Sequence, residues 1–265
     1  MSPIPTDGSI AALTDTPEGS RFIEASWPTP TGVRAGVTTR LGGHSRPPMD
    51  GFNLATHVGD DADAVAANRR ELVEMLALPE TPRWLKQTHG TTVVGPDVPT
   101  NQPQGDAAYT DRPGEVLAVL TADCLPVTLA SHDGSEIAVV HAGWRGLANG
   151  VIERTVGRFS VVGDELMAWL GPAIGPAHYV VGEKVHEAFM HDHPADASAF
   201  RAAIEPGKYH ADLFALARAR LRRLGITRVY GGESDTFAQA DLFYSYRRDQ
   251  GETGRMATLI WREQE

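Results

Sequence analysis

The stretch EVLAVLTADCLPVTLASHDGSEIAVVHAGWRG, residues 115–146, carries most of the information about the fold. It contains three apolar runs rich in valine, leucine and isoleucine, which predict buried strands. The only cysteine of the chain, Cys124, lies between the first two runs, where Pro126 prevents one simple continuous strand. A helix is predicted to follow over residues 146–159. The three predicted strands span residues 116–120, 126–130 and 136–140.

The remainder of the chain also alternates between strands and helices. Asp60 or Asp61 is predicted to cap a helix that runs to about Leu76. Because the elements are interspersed without a regular βαβ repeat, they predict a mixed-sheet α/β or α+β domain. A second helix is predicted at residues 211–224, and further strands at residues 34–39, 167–170, 242–246 and 256–261.

Composition limits the domain organisation and the partners. The 265 residues fit one domain spanning 21–265 after a leader, residues 1–20, whose Pro, Thr, Gly and Asp content predicts flexibility. Thirty-four acidic against 24 basic residues give a net charge of −10, which argues against nucleic acid as the main partner. No apolar run reaches the roughly 18 residues of a membrane span. The lack of a signal-peptide pattern and the single cysteine predict a cytoplasmic protein.

Three short segments, KQTHG, TADCLP and HAGWRG, each place a metal-ligand type at the end of a predicted strand. Together His89, Cys124 and His141 offer two imidazoles and a thiolate, which is enough for a catalytic zinc with one open position. The spacings match no zinc finger, so the residues alone favour a packed cysteine and two core histidines. Cys124 and His141 also suit a metal-free Cys–His hydrolase.

Seven segments in a fixed order make the chain resemble the YfiH, or laccase-domain, family over about residues 37–260. The order makes the resemblance specific, although each segment alone would be weak. The segments are TTRLGGHS, FNLATHVGDD with AANRREL, QTHG, GDAAYTDRPGEVLAVLTADCLPV, VVHAGWRGLANGVI, AWLGPAIGPAHYVVGEKV and FYSYRRDQGETGR.

This resemblance implies both a fold and an activity. The implied fold is an α-β-β-α sandwich, shared with a bacterial deamidase toxin that uses a Cys–His pair. The implied activity is zinc-dependent phosphorolysis of adenosine, inosine and methylthioadenosine to the base and (methylthio)ribose 1-phosphate, together with deamination of adenosine. The family's zinc ligands correspond to His89, Cys124 and His141, with copper as the alternative metal. The kinship with the toxin supports an alternative amidase acting on cell-wall precursors, and a non-catalytic metal-binding protein is a further alternative.

The family's older description as a multicopper polyphenol oxidase agrees poorly with the residues. A laccase holds four coppers with about ten histidines in His-x-His pairs and a cysteine. The only such pair in this chain, His191 and His193, lies in a polar stretch before Pro194. The sequence also departs from many relatives at Asp235, where they have a cysteine before the threonine, and this departure argues against a redox role for a second thiol.

Other side chains are candidates for binding substrate or moving protons. Asp123 is predicted either to transfer protons or to cap the bend at Cys124. Arg40 and Arg145 lie beside glycines and could bind phosphate through bidentate hydrogen bonds. Amide hydrogen bonds from Asn53 and Gln87 could orient a nucleoside. The additional candidates are Arg247, Arg248 and Arg255 for anions, and Trp144 and Tyr179 for stacking on a purine.

Overall fold

The computed structural model describes residues 19–99, 102–191 and 193–263, so nearly all of the predicted leader lies outside the described residues. Within these ranges the chain forms thirteen strands and five α-helices. The strands are β1 (Phe22–Glu24), β2 (Val33–Thr38), β3 (Val93–Val94), β4 (Ala107–Thr110), β5 (Val116–Thr121), β6 (Leu125–Ser131), β7 (Ile137–Ala142), β8 (Leu166–Leu170), β9 (Val180–Gly182), β10 (Phe200–Ala202), β11 (Lys208–Ala211), β12 (Arg228–Gly231) and β13 (Met256–Arg262). The helices are α1 (Ala62–Leu76), α2 (Trp144–Ala148), α3 (Val151–Val156), α4 (Glu183–Met190) and α5 (Leu213–Arg223).

The strands form two large sheets and one small sheet. The four-stranded sheet has the order β1-β2-β13-β5 and is antiparallel throughout. The six-stranded sheet has the order β12-β8-β6-β7-β4-β3, with parallel pairs at its two edges and antiparallel pairs between them. Strands β10, β11 and β9 form the small sheet, which contacts α4. The six-stranded sheet is therefore mixed, as predicted, whereas the other two sheets are antiparallel.

Three apolar clusters separate the layers. Val119 of β5 and Val139 of β7 belong to the cluster between the two large sheets. On the outer face of the four-stranded sheet, Leu72 of α1 packs in a cluster with Leu259 of β13. Helices α2, α3 and α5 cover the outer face of the six-stranded sheet. The order of layers is helix, sheet, sheet, helix, which confirms the predicted α-β-β-α sandwich.

Burial on both faces explains why the central strands could be recognised. In β5, Leu117 and Val119 point into the space between the sheets, whereas Ala118 and Leu120 point towards α1. A strand that is buried on both faces has a continuous apolar sequence instead of an alternating one. Burying each large side chain contributes about 1.5–3 kcal/mol, so these short runs are a major part of the core.

Two predicted elements differ from the structure. The helix predicted at residues 146–159 is two short helices, because Gly150 adopts a left-handed φ of 85° and begins α3. The strand predicted at 242–246 is wrong, since this segment is irregular. Phe243 and Tyr244 are consecutive and both fully buried, and the Tyr244 hydroxyl donates to the carbonyls of Met49 and Asp50 in a distant loop. No described helix is long and apolar enough to cross a membrane.

Candidate active site

Three separate parts of the fold bring His89, Cys124 and His141 together. His89 lies in the loop before β3, Cys124 in the turn between β5 and β6, and His141 near the end of β7. One ligand atom from each residue lies within 4.8 Å of the others. The Cys124 sulfur is 3.9 Å from His89 Nε2, and the two imidazole rings meet edge to face at 4.8 Å. This cluster is the one potential metal site of this kind found in the described ranges.

A buried carboxylate, Asp106, organises this cluster. Asp106 immediately precedes β4 and is fully buried. Its carboxylate accepts hydrogen bonds from the backbone N–H groups of Thr88, His89 and Gly90, at 2.7–3.2 Å. It also lies 2.8 Å from Nδ1 of His141. Because this contact assigns the Nδ1 proton, Nε2 of His141 is left as the atom that can bind a metal.

The electrostatics of the cluster favour a thiolate. Burial alone would raise the pKa of Cys124, but the charge and hydrogen bond of His141, with support from His89, lower it to about 6. Burial would lower the pKa of His141, yet Cys124 and Asp106 raise it to about 9. Burial likewise opposes ionisation of Asp106, but hydrogen bonds from His141 and Gly90 hold its pKa far below the usual value. Without metal, the structure therefore favours a thiolate beside an imidazolium.

Gly143 allows the three donor side chains to approach one another. It precedes α2, and its backbone closely approaches all three side chains. A Cβ atom at this position would lie 2.9 Å from the Cys124 sulfur and 3.2 Å from Cδ2 of His89. It would also lie 3.5 Å from Nε2 of His141. Any larger residue would therefore push the ligand atoms apart.

The turn that carries Cys124 depends on Asp123, which has a left-handed φ of 84°. One carboxylate oxygen of Asp123 accepts a hydrogen bond from the Thr236 hydroxyl at 2.7 Å, and the other accepts one from the backbone N–H of Arg247 at 2.6 Å. These two hydrogen bonds connect the Cys124 turn to residues that are 113 and 124 positions away. The two roles predicted for Asp123, proton transfer and capping of the bend, stay predictions. Asp123 also lines the cavity beside the cluster.

The cluster opens into a cavity of about 380 Å³, a size typical of small-molecule sites. Gln87 and Arg145, both predicted to bind substrate, line this cavity. The two ends of the Gln87 side-chain amide bond the backbone of Leu120. The full lining comprises His57, Gln87, His89, Leu120, Thr121, Ala122, Asp123, Cys124, His141, Arg145, Ile174, Tyr179, Tyr246, Arg247 and Arg255.

Two predicted substrate-binding residues do not line this cavity. Arg40 forms an ion pair with Asp50 at 3.1 Å and lies over the Tyr244 ring. Asn53 is fully buried and bonds the carboxylate of Asp60 and the backbone N–H of Arg255. Asn53 can therefore affect a ligand through Arg255, but its own amide is already occupied.

Three site residues were not singled out from the sequence: Asp106, His57 and Tyr246. His57 lines the cavity from the FNLATHVGDD segment, and burial, then Arg255 and Arg69, lower its pKa. Asp106 and Tyr246 lie in the GDAAY and FYSYR segments. The only sequence signal that could have identified these three residues was their position in segments that resemble the family.

The donor set fits a single metal ion. Zinc binds thiolate and imidazole in tetrahedral sites, and three protein ligands leave one position for a substrate or water. The Asp106–His141 contact is the kind of carboxylate–histidine pair that orients metal ligands. Copper also accepts thiolate and imidazole donors. Within the described ranges, His191 and His193 are not part of the three-donor cluster.

Residues 34–263 match the model of a family described as multi-copper polyphenol oxidoreductase laccase. The chain belongs to this family. A purine nucleoside phosphorylase YfiH of Escherichia coli K12 is 47% identical over 244 residues, covering 91% of this chain and 99% of the relative. A purine nucleoside phosphorylase YlmD of Geobacillus stearothermophilus is 34% identical over 266 residues, covering 94% and 97%. The YfiH resemblance is thus confirmed.

Solved structures show the same fold. A Neisseria meningitidis protein superimposes with a TM-score of 0.88 at 44% identity, covering 92% of this chain and all of that chain. YlmD of Geobacillus stearothermophilus superimposes with a TM-score of 0.87 at 32% identity, covering 93% and 98%. Among its described residues, this member of the laccase family therefore has one cluster of three donor side chains that could hold a metal.

The position where this chain departs from many family members has a clear structural role. Asp235 accepts hydrogen bonds from the backbone N–H groups of Gly175 and Phe237, and it lies 2.7 Å from Nδ1 of His178. Burial opposes ionisation of Asp235, but these hydrogen bonds lower its pKa. The carboxylate therefore connects two loops, and it does not line the cavity.

Proposed function

We propose that this protein is a cytoplasmic, zinc-dependent purine nucleoside phosphorylase. It would cleave adenosine, inosine or methylthioadenosine with phosphate, giving the base and (methylthio)ribose 1-phosphate. The observation that carries this proposal is a His–Cys–His cluster facing a cavity that also contains three arginines. The names of the relatives support the same reaction class. We propose a small nucleoside and phosphate as its partners, and neither nucleic acid nor membrane.

In this proposal, His89, Cys124 and His141 hold the zinc ion. When bound, zinc supplies a Lewis acid that polarises an oxygen ligand and lowers the pKa of water. Asp106 orients His141 and the loop of His89. Arg145 lies 4.6 Å from the Trp144 ring centroid with no carboxylate in ion-pair distance among the described residues, so its charge is available to an anionic substrate.

We also propose deamination of adenosine at the same site, at a lower rate. Attack of water on C6 of adenine requires a group that moves protons. Asp123 is the one carboxylate among the residues that line the cavity. Each of its oxygens accepts one hydrogen bond, from Thr236 and from Arg247, and keeps a second lone pair that can take a proton. Because these two bonds hold the carboxylate in one orientation, we expect phosphorolysis to exceed deamination.

Product analysis tests this function directly. Adenosine is incubated with the purified protein, with and without phosphate, and metal content is measured on the same sample. Phosphate-dependent adenine that disappears in a His141→Ala variant supports the phosphorylase, and inosine reports deamination. Zinc or copper in the sample identifies the metal. Full metal loading with no turnover of any nucleoside would instead favour a non-catalytic metal-binding protein.

A Cys–His hydrolase is the second candidate, because Cys124, His141 and Asp106 also resemble a nucleophile, a base and an orienting carboxylate. Such an enzyme would cleave amide bonds, for example in cell-wall precursors, without a metal. Iodoacetamide separates the two candidates. A free thiolate in the protein as purified should be alkylated rapidly, whereas a zinc-bound thiolate should react slowly until a chelator is added.

A further inference from the structure

Two arginines in the cavity have the same hydrogen-bonding arrangement. Nη1 of Arg247 donates to the backbone carbonyl of Val180 at 3.0 Å and lies 3.5 Å from that of His178. Nη1 of Arg255 donates to the carbonyls of Thr253 and Gly254 at 2.7 and 2.9 Å. In both side chains one nitrogen is anchored by backbone, while Nη2 and Nε donate to no described residue. Each guanidinium therefore keeps an edge of unused donors.

Each of these guanidinium groups also lies over a tyrosine ring. Arg247 is 5.4 Å from the centroid of Tyr179, and Arg255 is 5.5 Å from that of Tyr246. A cation–π contact restrains a guanidinium without neutralising its charge. Both tyrosines line the same cavity as the arginines.

The backbone of each arginine is held by a polar side chain from a distant part of the chain. The N–H of Arg247 donates to Asp123 at 2.6 Å, and the N–H of Arg255 donates to Asn53 at 3.0 Å. Both acceptors are buried. Each arginine is therefore restrained at its backbone N–H, at its guanidinium and by a tyrosine ring, which lowers the entropic cost of binding an anion in the cavity that both line.

Charge pairing separates these arginines from Arg40 and Arg248. Arg145 also lines the cavity without an ion pair, but no hydrogen bond to a described residue holds its guanidinium. Arg40 is paired with Asp50, and Arg248 is paired with Asp249 and uses Nε, Nη1 and Nη2 for protein acceptors. Neither of them lines the cavity. Arg247 and Arg255 have no carboxylate within ion-pair distance in the described part of the chain. Two unpaired cations in one partly enclosed cavity favour an anion.

We propose that Arg247 and Arg255 form the phosphate subsite, in which inorganic phosphate is held as the co-substrate of the proposed function. In phosphorolysis a phosphate oxygen forms a bond to ribose C1′ as the C1′–N9 bond breaks. The electron pair leaves with the purine, which takes up a proton. The two arginines would hold the attacking phosphate and later the phosphate group of ribose 1-phosphate. This assignment rests on the proposed function and identifies where its anionic substrate binds.

The test measures phosphate binding both with and without turnover. Arg247→Gln and Arg255→Gln are compared with Arg222→Gln, which removes one exposed arginine on α5. Inorganic phosphate is titrated into each zinc-loaded protein by calorimetry, and the KM values for phosphate and adenosine are measured separately. Each cavity variant should weaken phosphate binding and raise the phosphate KM by about tenfold or more. The adenosine KM should change less than about twofold, and the control should match the wild type. An Arg255→Lys variant, which retains the charge but loses the planar fork, should be intermediate.

Several results would overturn the subsite. These are a wild-type protein that binds no phosphate, cavity variants that bind phosphate as tightly as the control, or a rise confined to the adenosine KM. If the wild type still catalyses phosphorolysis in those cases, the proposed function survives and only the subsite falls. If the wild type binds phosphate but no nucleoside is cleaved, and binding is lost in both variants, the subsite stands and the proposed function falls. Equal zinc content and thermal stability in the variants exclude misfolding as the cause.

Discussion

Strands β4 and β7 are paired along the length of β4, and a buried carboxylate lies at each end of the pair. Only one of these ends forms part of the candidate active site. At one end Ala107 lies opposite Val140, next to Asp106 and His141. At the other end Thr110 lies opposite Ile137, next to Glu136 and Tyr109. Both carboxylates are buried, and each contacts one titratable side chain. Asp106 accepts hydrogen bonds from three backbone N–H groups and Glu136 from one.

At the Glu136 end, the carboxylate, the Tyr109 hydroxyl and Ser160 satisfy one another. Glu136 accepts hydrogen bonds from the Tyr109 hydroxyl and from the backbone and hydroxyl of Ser160. Burial and Glu136 raise the pKa of Tyr109 well above its usual value, and its ring packs on Phe159 at 5.2 Å. The single polar atom of Tyr109 is used here, whereas His141 has a second nitrogen that faces Cys124. A buried carboxylate therefore organises each end. Only His141 has a second atom, Nε2, that could bind a metal, so only the Asp106 end forms a candidate site.

Replacing His141 should give the largest difference between the two ends. His141→Ala removes a ligand atom and leaves Asp106 without its charged partner. We expect zinc content and phosphorolysis to fall by more than about 100-fold, beyond the loss typical of an outer-shell change. Metal analysis and product assays measure both. Normal zinc loading in this variant would contradict the assigned ligand set.

Replacing the two buried carboxylates, Asp106 and Glu136, should give the second-largest difference between the two ends. In Asp106→Asn, an amide N–H facing Nδ1 of His141 would force the proton to Nε2 and remove the lone pair that binds metal. We expect zinc affinity to fall about 10- to 100-fold, as measured by competition with a chromogenic chelator. The matched Glu136→Gln change should leave zinc affinity within about twofold. Equal losses of zinc affinity from both substitutions would show that Asp106 and Glu136 do not differ in their effect on the metal site.

The pH dependence of alkylation reports the thiolate at the His141 end. In metal-free protein, labelling of Cys124 should rise through about pH 6 instead of about 9, because a lowered pKa keeps the thiolate at lower pH. His141→Ala removes the neighbouring positive charge, so the midpoint should move upwards. The rate at pH 7 should then fall about tenfold. The mass of the intact protein suffices as readout, and an unchanged midpoint would rule out His141 as the main cause.

The Glu136 end should affect stability more than activity. Tyr109→Phe removes one buried hydrogen bond and should lower the free energy of unfolding by about 1–2 kcal/mol. Phosphorolysis should stay within about twofold of the wild type, since Tyr109 does not line the cavity. Denaturant unfolding and steady-state assays test the two statements. A large loss of activity in a folded variant would mean that this end also serves the site.

The sequence predicted the layers of the fold better than its irregular parts. Continuous apolar runs identified the central strands because both their faces are buried, and Asp61 caps α1 as expected. The segment 242–246 also contains adjacent apolar residues, but Tyr244 is buried there by hydrogen bonds to the carbonyls of Met49 and Asp50. No local pattern distinguishes that environment from a strand. The short strands of the small sheet are too brief to show a period.

Local sequence patterns were also insufficient to predict the candidate active site. The three donors could be assigned from the family resemblance, whereas their spacings alone could not identify them. Asp106 was missed because its partners are 16–35 residues away and β4 has only four residues. Arg40 and Arg145 both lie beside glycines, yet only Arg145 lines the cavity, because Arg40 meets Asp50. Tertiary contacts decide which arginine forms an ion pair, and no local sequence motif predicts them.

If the His–Cys–His cluster holds zinc as proposed, its assembly from three distant segments would also link the protein's abundance to metal supply. In an unfolded chain the three donors of the cluster form no local chelating motif, because they are separated by 35 and 17 residues. Zinc would therefore bind the native state almost exclusively, and free zinc at 100 times its Kd would add about 2.7 kcal/mol to the free energy of unfolding. In a zinc-starved cell the same chain would unfold more frequently and reach proteases sooner. The amount of protein present would then follow the zinc available to it.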